Sequence, residues 1–320
     1  MHIIKAVPED FVVKEVGSLQ PSGAGPYAFF VLRKRDWNTI DALEAVGNTL
    51  NVPLRAFGFS GNKDKTAVTE QVCSVKGVTK DALEKVALPG IMLTYLGQSG
   101  RPVGLGTHEG NQFIITVRNL DAQPTITARF INLFGGQRFS THNVPLGRAV
   151  VKRQWDVVID HLSHDPARAS VIRQALAKHP KDTLGALRHV PTMLLTLFVH
   201  AYQSGLWNVL AQALADAGTS QQDVPILGFG TTNDDIAKFP LISEQLKAEA
   251  ITPRDFVIRQ LPDLSAEGGS RPLYAEAEGL KASGLEQDER NAGKKKMFVE
   301  FTLRKGSYAT EFIRQTFGNA

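Results

Sequence analysis

The two ends of the chain share one local pattern, and a different pattern lies between them. Asp10–Val16 and Tyr27–Arg33 are rich in β-branched and aromatic residues, which is typical of strands, and Met297–Leu303 alternates in the same way. From about 150 to 215 the pattern is mainly helical, and Leu194–Ala215 is a long apolar stretch without proline. This order predicts one mixed α/β domain built from both ends of the chain, with the middle inserted into it.

Smaller elements follow from local pattern and turn residues. We expect a connection rich in Pro, Gly and Ser at 17–26 and a less regular region at 217–290. In chain order, the further predictions are a helix at Thr39–Leu50, strands near 54–60 and 67–75, a helix at 80–88, strands near 91–97 and 112–118, and a helix at 125–134 with Thr125 near its cap. Near the end, Lys305 and Gly306 predict a turn, and Ser307 is a candidate cap for a final helix through Phe317.

Composition excludes several classes of protein. The chain has 320 residues, and its 42% hydrophobic content is enough for a substantial core. The single cysteine, Cys73, excludes a disulfide framework and a cysteine-based zinc site. The N-terminus lacks the pattern of a signal peptide, and no apolar run approaches the roughly 18 residues that span a bilayer. We therefore expect a soluble cytoplasmic protein that does not bind membranes.

The formal net charge of +4 hides a segregation of charge along the chain. Residues 138–190 carry nine basic and four acidic residues, and 290–320 carry seven and two, so each segment is +5. Residues 211–289 carry six basic and fourteen acidic residues, which gives −8. Two basic segments and an acidic one fit a surface that binds a polyanion on one side, although uneven solvated charge is an equally ordinary explanation.

The segment Gly61–Gln71 (GNKDKTAVTEQ) places a carboxylate, Asp64, in a loop between Lys63 and Lys65. Flanking ammonium groups favour the ionised form of a carboxylate, which a nucleophile or general base requires. Taken alone, the same loop is a polar turn between two strands, and this is the commoner meaning of such a sequence.

Three further segments combine amide, aromatic and cationic groups, the residue types that recognise RNA. They are Lys5–Phe11 (KAVPEDF), Asn132–Phe139 (NLFGGQRF) and Gly306–Thr310 (GSYAT). Each also has a structural interpretation, since Phe11 and Phe134 could be core residues, Asn132 a helix cap and Tyr308 a packing tyrosine.

The segments in combination resemble the TruD family of tRNA pseudouridine synthases. The resemblance is carried, in the family's order, by KAxPEDFVV at 5–13, GxKDKxAVTEQ at 61–71, LGxxxGNxF at 105–113, NxFGxQRF at 132–139, AYQSxLxN at 201–208 and GSYAT at 306–310. It implies an α+β fold with a mixed, mainly antiparallel sheet and flanking helices, the pseudouridine synthase fold. It also implies a catalytic domain at 1–150 and 291–320, and an inserted TRUD domain at 151–290.

The resemblance also implies roles for individual residues. Asp64 corresponds to the family's catalytic nucleophile, and Phe11, Asn132 and Tyr308 correspond to its uridine-site residues. Phe134 falls where other pseudouridine synthases carry an active-site tyrosine, and Lys5 is expected near the catalytic carboxylate. Two departures are Tyr308, where some members have phenylalanine, and Ser140, where a glycine is expected.

The implied reaction isomerises uridine to pseudouridine in tRNA, with uridine-13 as the leading substrate. It requires neither metal nor cofactor, and the sequence holds no P-loop, metal motif or dinucleotide fingerprint. We expect tRNA as the partner, no obligate protein partner and a monomer. One alternative is a non-catalytic RNA-binding protein with a TruD-like fold. Another is a different carboxylate enzyme such as a hydrolase, which would want a second acid at a fixed distance.

Overall fold

The structure is a computed structural model that describes residues 1–17, 19–219 and 223–318. Ser18, 220–222 and 319–320 lie outside the described residues. They fall in the predicted segments 17–26, 217–290 and 291–320. The chain forms two compact units, the first made of Met1–Phe130 with Glu276–Ala320 and the second of Ile131–Ala275. The second unit therefore begins and ends earlier in the chain than the predicted insertion at 151–290.

Strands and helices alternate at the two ends, and helices dominate the middle. The strands are β1 (Phe11–Val16), β2 (Tyr27–Arg35), β3 (Phe57–Phe59), β4 (Val68–Lys76), β5 (Ile91–Ser99), β6 (Gly110–Leu120), β7 (Arg129–Ile131), β8 (Asp223–Ile226), β9 (Gly269–Pro272), β10 (Tyr274–Glu276), β11 (Glu278–Ala282), β12 (Glu286–Gln287) and β13 (Lys295–Arg304). The helices are α1 (Thr39–Leu50), α2 (Lys80–Glu84), α3 (Asn143–Val151), α4 (Trp155–His164), α5 (Ala169–Lys178), α6 (Thr183–Leu187), α7 (Thr192–Asp216), α8 (Asn233–Lys238), α9 (Pro240–Glu249) and α10 (Ala309–Phe317).

The first unit is built on one mixed sheet with the strand order β11-β13-β6-β1-β4-β2-β5, to which β12 adds at β13 and β3 at β4. Strands β1 and β4 pair in parallel, while β6 pairs antiparallel with β1 and β13. Strand β4 lies between β1 and β2, so these two opening strands are not direct neighbours. The predicted α+β class with a mainly antiparallel sheet is confirmed.

Helix α1 covers part of this sheet. Asn38 caps it by accepting a hydrogen bond from the Asp41 amide, and the helix ends where Asn51 turns into the left-handed region at φ 56°. Its buried face contributes Leu43 and Val46 to a core with Phe30 and Leu32 of β2. Burying four such side chains stabilises the fold by roughly 6–12 kcal/mol before the loss of conformational entropy.

Most predicted elements are confirmed, including α1 with the expected bounds and the long helix α7. The predicted helix at 125–134 is wrong, because 129–131 form strand β7. Pro124 and the β-branched run from Thr125 to Thr127 favour extended backbone here. The Asn132 amide donates to the Leu273 carbonyl at 2.8 Å, a distant partner that a helix would forgo.

Two smaller predictions about helix ends are also corrected. Helix α2 ends at Glu84 rather than at 88. The final helix begins at Ala309 with Tyr308 in the capping position, and no side chain caps it, so Ser307 is not its cap.

The second unit is organised around the 25-residue helix α7, which buries Trp207 and Tyr202. Helix α3 packs closely against it at Gly147, where any added side chain would collide with the Phe198 carbonyl. Strands β8 and β9 pair antiparallel in this unit. No described helix is long and apolar enough to cross a membrane.

Candidate active site

Asp64 lies in the loop between β3 and β4, which are antiparallel neighbours in the sheet. Its side chain is 34% exposed, so the carboxylate faces the surface while the loop backbone turns inward. The loop has little regular structure of its own. Its shape therefore depends on contacts with the surrounding elements.

Two polar side chains hold the loop through its backbone. Gln71 Nε2 donates to the Gly61 carbonyl at 3.0 Å, and the Thr39 hydroxyl donates to Gln71 Oε1 at 3.0 Å. The same Thr39 oxygen accepts the Lys63 amide at 2.9 Å. Thr39 and Gln71 are both buried, so these bonds are shielded from water and hold the start of the loop to α1 and β4.

The lysine before Asp64 also anchors the loop. Lys63 Nζ lies 2.9 Å from Glu15 Oε1, and both side chains are almost fully buried. Glu15 accepts a further bond from the Val72 amide at 3.1 Å and one from the Ser60 hydroxyl. The expectation that Lys63 compensates the charge of Asp64 is therefore wrong, because its ammonium group is committed to Glu15.

Lys5 is the ammonium group that meets Asp64, from a segment 59 residues earlier. Its Nζ donates to Asp64 Oδ2 at 2.9 Å and lies 4.1 Å from the centroid of the Phe11 ring. The Lys5 backbone has φ 59°, in the left-handed region that non-glycine residues avoid at a cost of about 1 kcal/mol or more. Its neighbours in the fold therefore maintain this placement against local preference.

Phe11 supports this lysine from within the sheet. It is 1% exposed and packs edge-on against Phe113, with ring centroids 6.0 Å apart. The neighbouring Asp10 accepts hydrogen bonds from both Nε and Nη2 of Arg118, which also donates to the buried Asp288 at 3.0 Å. The PEDF segment thus fixes the start of β1 through a buried ionic cluster.

Lys34 is a residue of the site that the sequence did not reveal. It is fully buried in β2, and its Nζ donates to the Asp64 carbonyl at 2.8 Å and to the Trp37 carbonyl at 2.5 Å. Burial lowers the pKa of Lys34 to about 8, against an opposing effect of Asp64, while Lys63 lowers it further. The burial of this lysine beside the Asp64 loop is visible only in the fold.

Tyr308 belongs to the first unit, where it is half-buried at the start of α10. Its backbone carbonyl accepts the Phe312 amide in the first turn of that helix. Its aromatic ring is thus carried at the start of a helix.

Asn132 lies in the second unit, where its polar groups are bonded to that unit's own residues. Its side-chain oxygen accepts Arg271 Nη2 at 2.7 Å, and its amide nitrogen donates to the Pro272 carbonyl at 3.2 Å. Arg271 Nε also donates to the Asn132 carbonyl at 2.7 Å. Asn132 is not a helix cap, since it directly follows strand β7 and no described helix begins or ends at it.

Phe134 packs in the same cluster. The Arg271 guanidinium lies 4.2 Å from the centroid of its ring, and Trp207 meets that ring edge-on at 5.6 Å. Asn208 of α7 donates to the Phe134 carbonyl and accepts its amide. The segments 132–139 and 201–208 are thus partners, one held by the other.

The arrangement in the first unit suits a reaction that needs an ionised carboxylate at the surface. Asp64 is accessible, paired with an ammonium group and carried by a loop that several buried groups fix. In the described part of the chain, no group of three or more His, Cys, Asp or Glu could hold a metal ion.

Comparison with known protein families gives one match that spans most of the sequence. The model of the family "tRNA pseudouridine synthase D (TruD)" matches residues 2–171, 169–225 and 210–316. The chain belongs to the TruD family. A protein of Methanopyrus kandleri designated a tRNA pseudouridine synthase D is 29% identical over 94% of this chain and 88% of its own length. The tRNA pseudouridine synthase D of Aquifex aeolicus is 27% identical over 98% of this chain and 97% of its own.

A solved TruD structure agrees with the fold. The structure from Methanosarcina mazei, described as a tRNA pseudouridine synthase D (TruD), superimposes with a TM-score of 0.79 at 25% identity. The match covers 99% of this chain and 93% of that one. The mixed sheet and flanking helices are therefore those of a TruD protein.

The TruD segments identified in the sequence fall into two groups in the structure. The Lys5 ammonium group contacts both the Asp64 carboxylate and the Phe11 ring, and Tyr308 lies in the same unit. Asn132 and Phe134 lie in the second unit and share Arg271 as a partner.

Proposed function

We propose that this TruD protein is a tRNA pseudouridine synthase, an isomerase in which Asp64 is the nucleophile. The observation that carries the proposal is the Lys5–Asp64 pair on a loop held by buried groups, within a chain of this family. The alternative of an inert RNA-binding protein gives this arrangement no task.

The reaction breaks the N1–C1′ bond of uridine and rejoins the same uracil to C1′ through C5. The C5 proton is lost and N1 gains one, so the product is an isomer and no oxidant or reductant takes part. In the proposed role, an Asp64 oxygen bonds to C1′ as the N1–C1′ bond breaks, and it is displaced as C5 of the rotated uracil bonds to C1′. Lys5 orients the carboxylate, and the hydrogen bonds to the loop backbone keep it aligned with the target.

The target uridine leaves its stack to reach Asp64, since the reacting atoms of a stacked nucleotide are not accessible to a carboxylate inside a helix. Membership in the TruD family supports roles in uridine binding for Phe11, Tyr308, Asn132 and Phe134, and we propose these roles residue by residue. Neighbouring groups cover two of these side chains in the structure. The Lys5 ammonium group lies over the Phe11 ring, and Arg271 donates to the side-chain oxygen of Asn132. Direct contact of either with a base requires that neighbour to move.

The units receive different tasks in this proposal. The first unit, predicted as 1–150 and 291–320, is the catalytic domain, and the second, predicted as 151–290, is the TRUD domain. The basic segments 138–190 and 290–320 contact the phosphates of tRNA, and the protein acts as a monomer without a protein partner.

The test is turnover on a defined RNA. The purified protein is incubated with a tRNA transcript and with a copy in which uridine-13 is cytidine, and pseudouridine is mapped by carbodiimide modification and primer extension. We expect a product at position 13 of the first RNA and none in the second. A product elsewhere overturns the uridine-13 assignment. Binding without any product supports the RNA-binding alternative, and mapping RNA from a strain lacking the gene tests the assignment in cells.

A further inference from the structure

Lys34 carries a charge into the interior of the sheet, where backbone carbonyls accept its hydrogen bonds. It is 0% exposed, although lysine is almost never fully buried without a partner. Its Nζ donates to backbone carbonyls, those of Trp37 at 2.5 Å, Asp64 at 2.8 Å and Lys63 at 3.4 Å. Burying an ammonium group carries an energetic penalty that three neutral acceptors offset only in part.

Two of these three carbonyls belong to the catalytic loop, one of them to Asp64 itself. An ammonium group is a point charge with three donors, so it can draw three carbonyl groups towards one centre. Carbonyl oxygens that converge without a cation would repel one another and would be left unsatisfied in the interior. Lys34 therefore sets the backbone direction of residues 63 and 64.

The backbone direction decides where the Asp64 side chain points. With its carbonyl turned inward to Lys34, Asp64 presents its carboxylate outward, 2.9 Å from the Lys5 ammonium group. Lys34 is on β2, next to β4 in the sheet, and Lys5 precedes β1. Two lysines from different segments thus hold one aspartate, one by its main chain and the other by its side chain.

We infer that Lys34 is a positioning residue for Asp64, which acts on turnover through the backbone of the catalytic loop and does not touch the substrate. The inference rests on the proposed synthase activity. Reactivity falls steeply when a reacting group is displaced by about 1 Å, and the loss appears in kcat rather than in substrate binding.

The experiment compares Lys34→Met, Lys34→Gln and Lys34→Arg with the wild type and with Lys76→Met. Lys76 is an exposed residue at the end of β4, so its variant removes one charge from the same sheet without touching the loop. For each protein, kcat and KM are measured by tritium release from tRNA, and hydrogen exchange is measured for the peptide covering 60–67.

For folded Met and Gln variants we expect kcat to fall at least about tenfold, with KM changed less than about twofold. Exchange should rise in 60–67 and stay unchanged in β13, which a general loss of stability would not produce. A folded Met or Gln variant with wild-type kcat overturns the inference. Should neither fold, Lys34→Arg decides, because its planar head cannot occupy the point position of the ammonium group. Reduced kcat supports the inference, and wild-type kcat overturns it.

The outcomes separate the two proposals. A wild-type protein that releases no tritium contradicts the proposed function, whatever the variants do. An active wild type beside a fully active Lys34→Met contradicts only the role of Lys34. Raised exchange confined to 60–67 in the variants supports the anchoring role independently of activity.

Discussion

The Asp64 loop and the Asn132–Phe134 segment both carry TruD residues, but the fold uses their polar groups in opposite ways. In the loop, buried partners bind mainly the backbone and leave the Asp64 carboxylate at the surface. In the segment, the side chain of Asn132 itself is buried and bonded to Arg271 and Pro272. The loop therefore leaves a charged group exposed, whereas the Asn132 side chain holds a buried cluster together. Changes in the loop should therefore affect turnover, and changes in the cluster should affect stability.

The largest effect on stability is expected for Arg271→Met in the second unit. The change removes charged hydrogen bonds to Asn132 and leaves two buried acceptors unsatisfied, with an expected loss of about 4 kcal/mol. Chemical unfolding monitored by tryptophan fluorescence measures it. Arg304→Met is the control, because Arg304 is 85% exposed in its ion pair with Glu278 and the change should stay within about 0.5 kcal/mol. Similar losses of stability in Arg271→Met and Arg304→Met would contradict the structural role of the Asn132 cluster.

In the first unit, the stability that Lys34 contributes should increase with pH, because burial lowers the pKa of this lysine. Its pKa is 10.5 when unfolded and about 8 when folded, so between these values the unfolded chain binds more protons. The contribution of Lys34 to the free energy of unfolding should therefore rise from pH 8 to 10.5, by up to about 3 kcal/mol, and stay flat below pH 8. The difference between wild type and Lys34→Met, measured by urea unfolding across this range, isolates it. A flat difference would contradict the buried charge.

Lys5→Met should lower turnover with little effect on stability. Methionine keeps the packing over Phe11 but loses the ammonium group that meets Asp64, so kcat should fall about a hundredfold, equivalent to about 2.7 kcal/mol. Lys80→Met is the control, since it breaks the exposed Lys80–Glu84 pair at 3.7 Å. Equal kcat values for the two variants would show that Lys5 does not orient the carboxylate.

The smallest effect is expected for Tyr308→Phe. The ring at the start of α10 is kept and one hydroxyl is lost, so base stacking survives and kcat should change less than about threefold. Tyr308→Ala removes the ring and should raise KM or lower kcat by tenfold or more. Equal effects of the two variants would indicate that the hydroxyl, and not the ring, contacts the substrate.

Much of the fold was predictable from the sequence because its signals are local. Helix α1 has its cap, its apolar spacing and a turn residue within a few positions of each end. The 125–134 segment was not predictable in the same way, because its extended form depends on Leu273, about 140 residues away. The polar loop at Gly61–Lys65 was expected, but the partners of Lys63 were not, since Glu15 lies 48 residues earlier.

The candidate site also contains residues that local sequence motifs indicated and one residue that they did not. Asp64 was identified through the family motif around it, and Lys5 was expected near it for the same reason. Lys34 gave no such signal, because the run Arg33–Arg35 has the composition of a solvated edge. Only the pairing of β2 between β4 and β5 shows that Lys34 is buried.

The central claim is that Asp64 performs chemistry and does not merely shape a turn. Asp64→Asn keeps the size of the side chain and removes its charge, and asparagine suits a polar turn as well as aspartate does. Asp36→Asn is the matched control, at an exposed residue whose φ of 60° asparagine tolerates. The measurement is tritium release from tRNA containing 5-tritiated uridine, beside filter binding of the same RNA. We expect Asp64→Asn to bind tRNA as tightly as the wild type or more tightly and to lose at least about a thousandfold in turnover, while Asp36→Asn keeps both. A folded Asp64→Asn protein that releases tritium at nearly the wild-type rate would contradict the account.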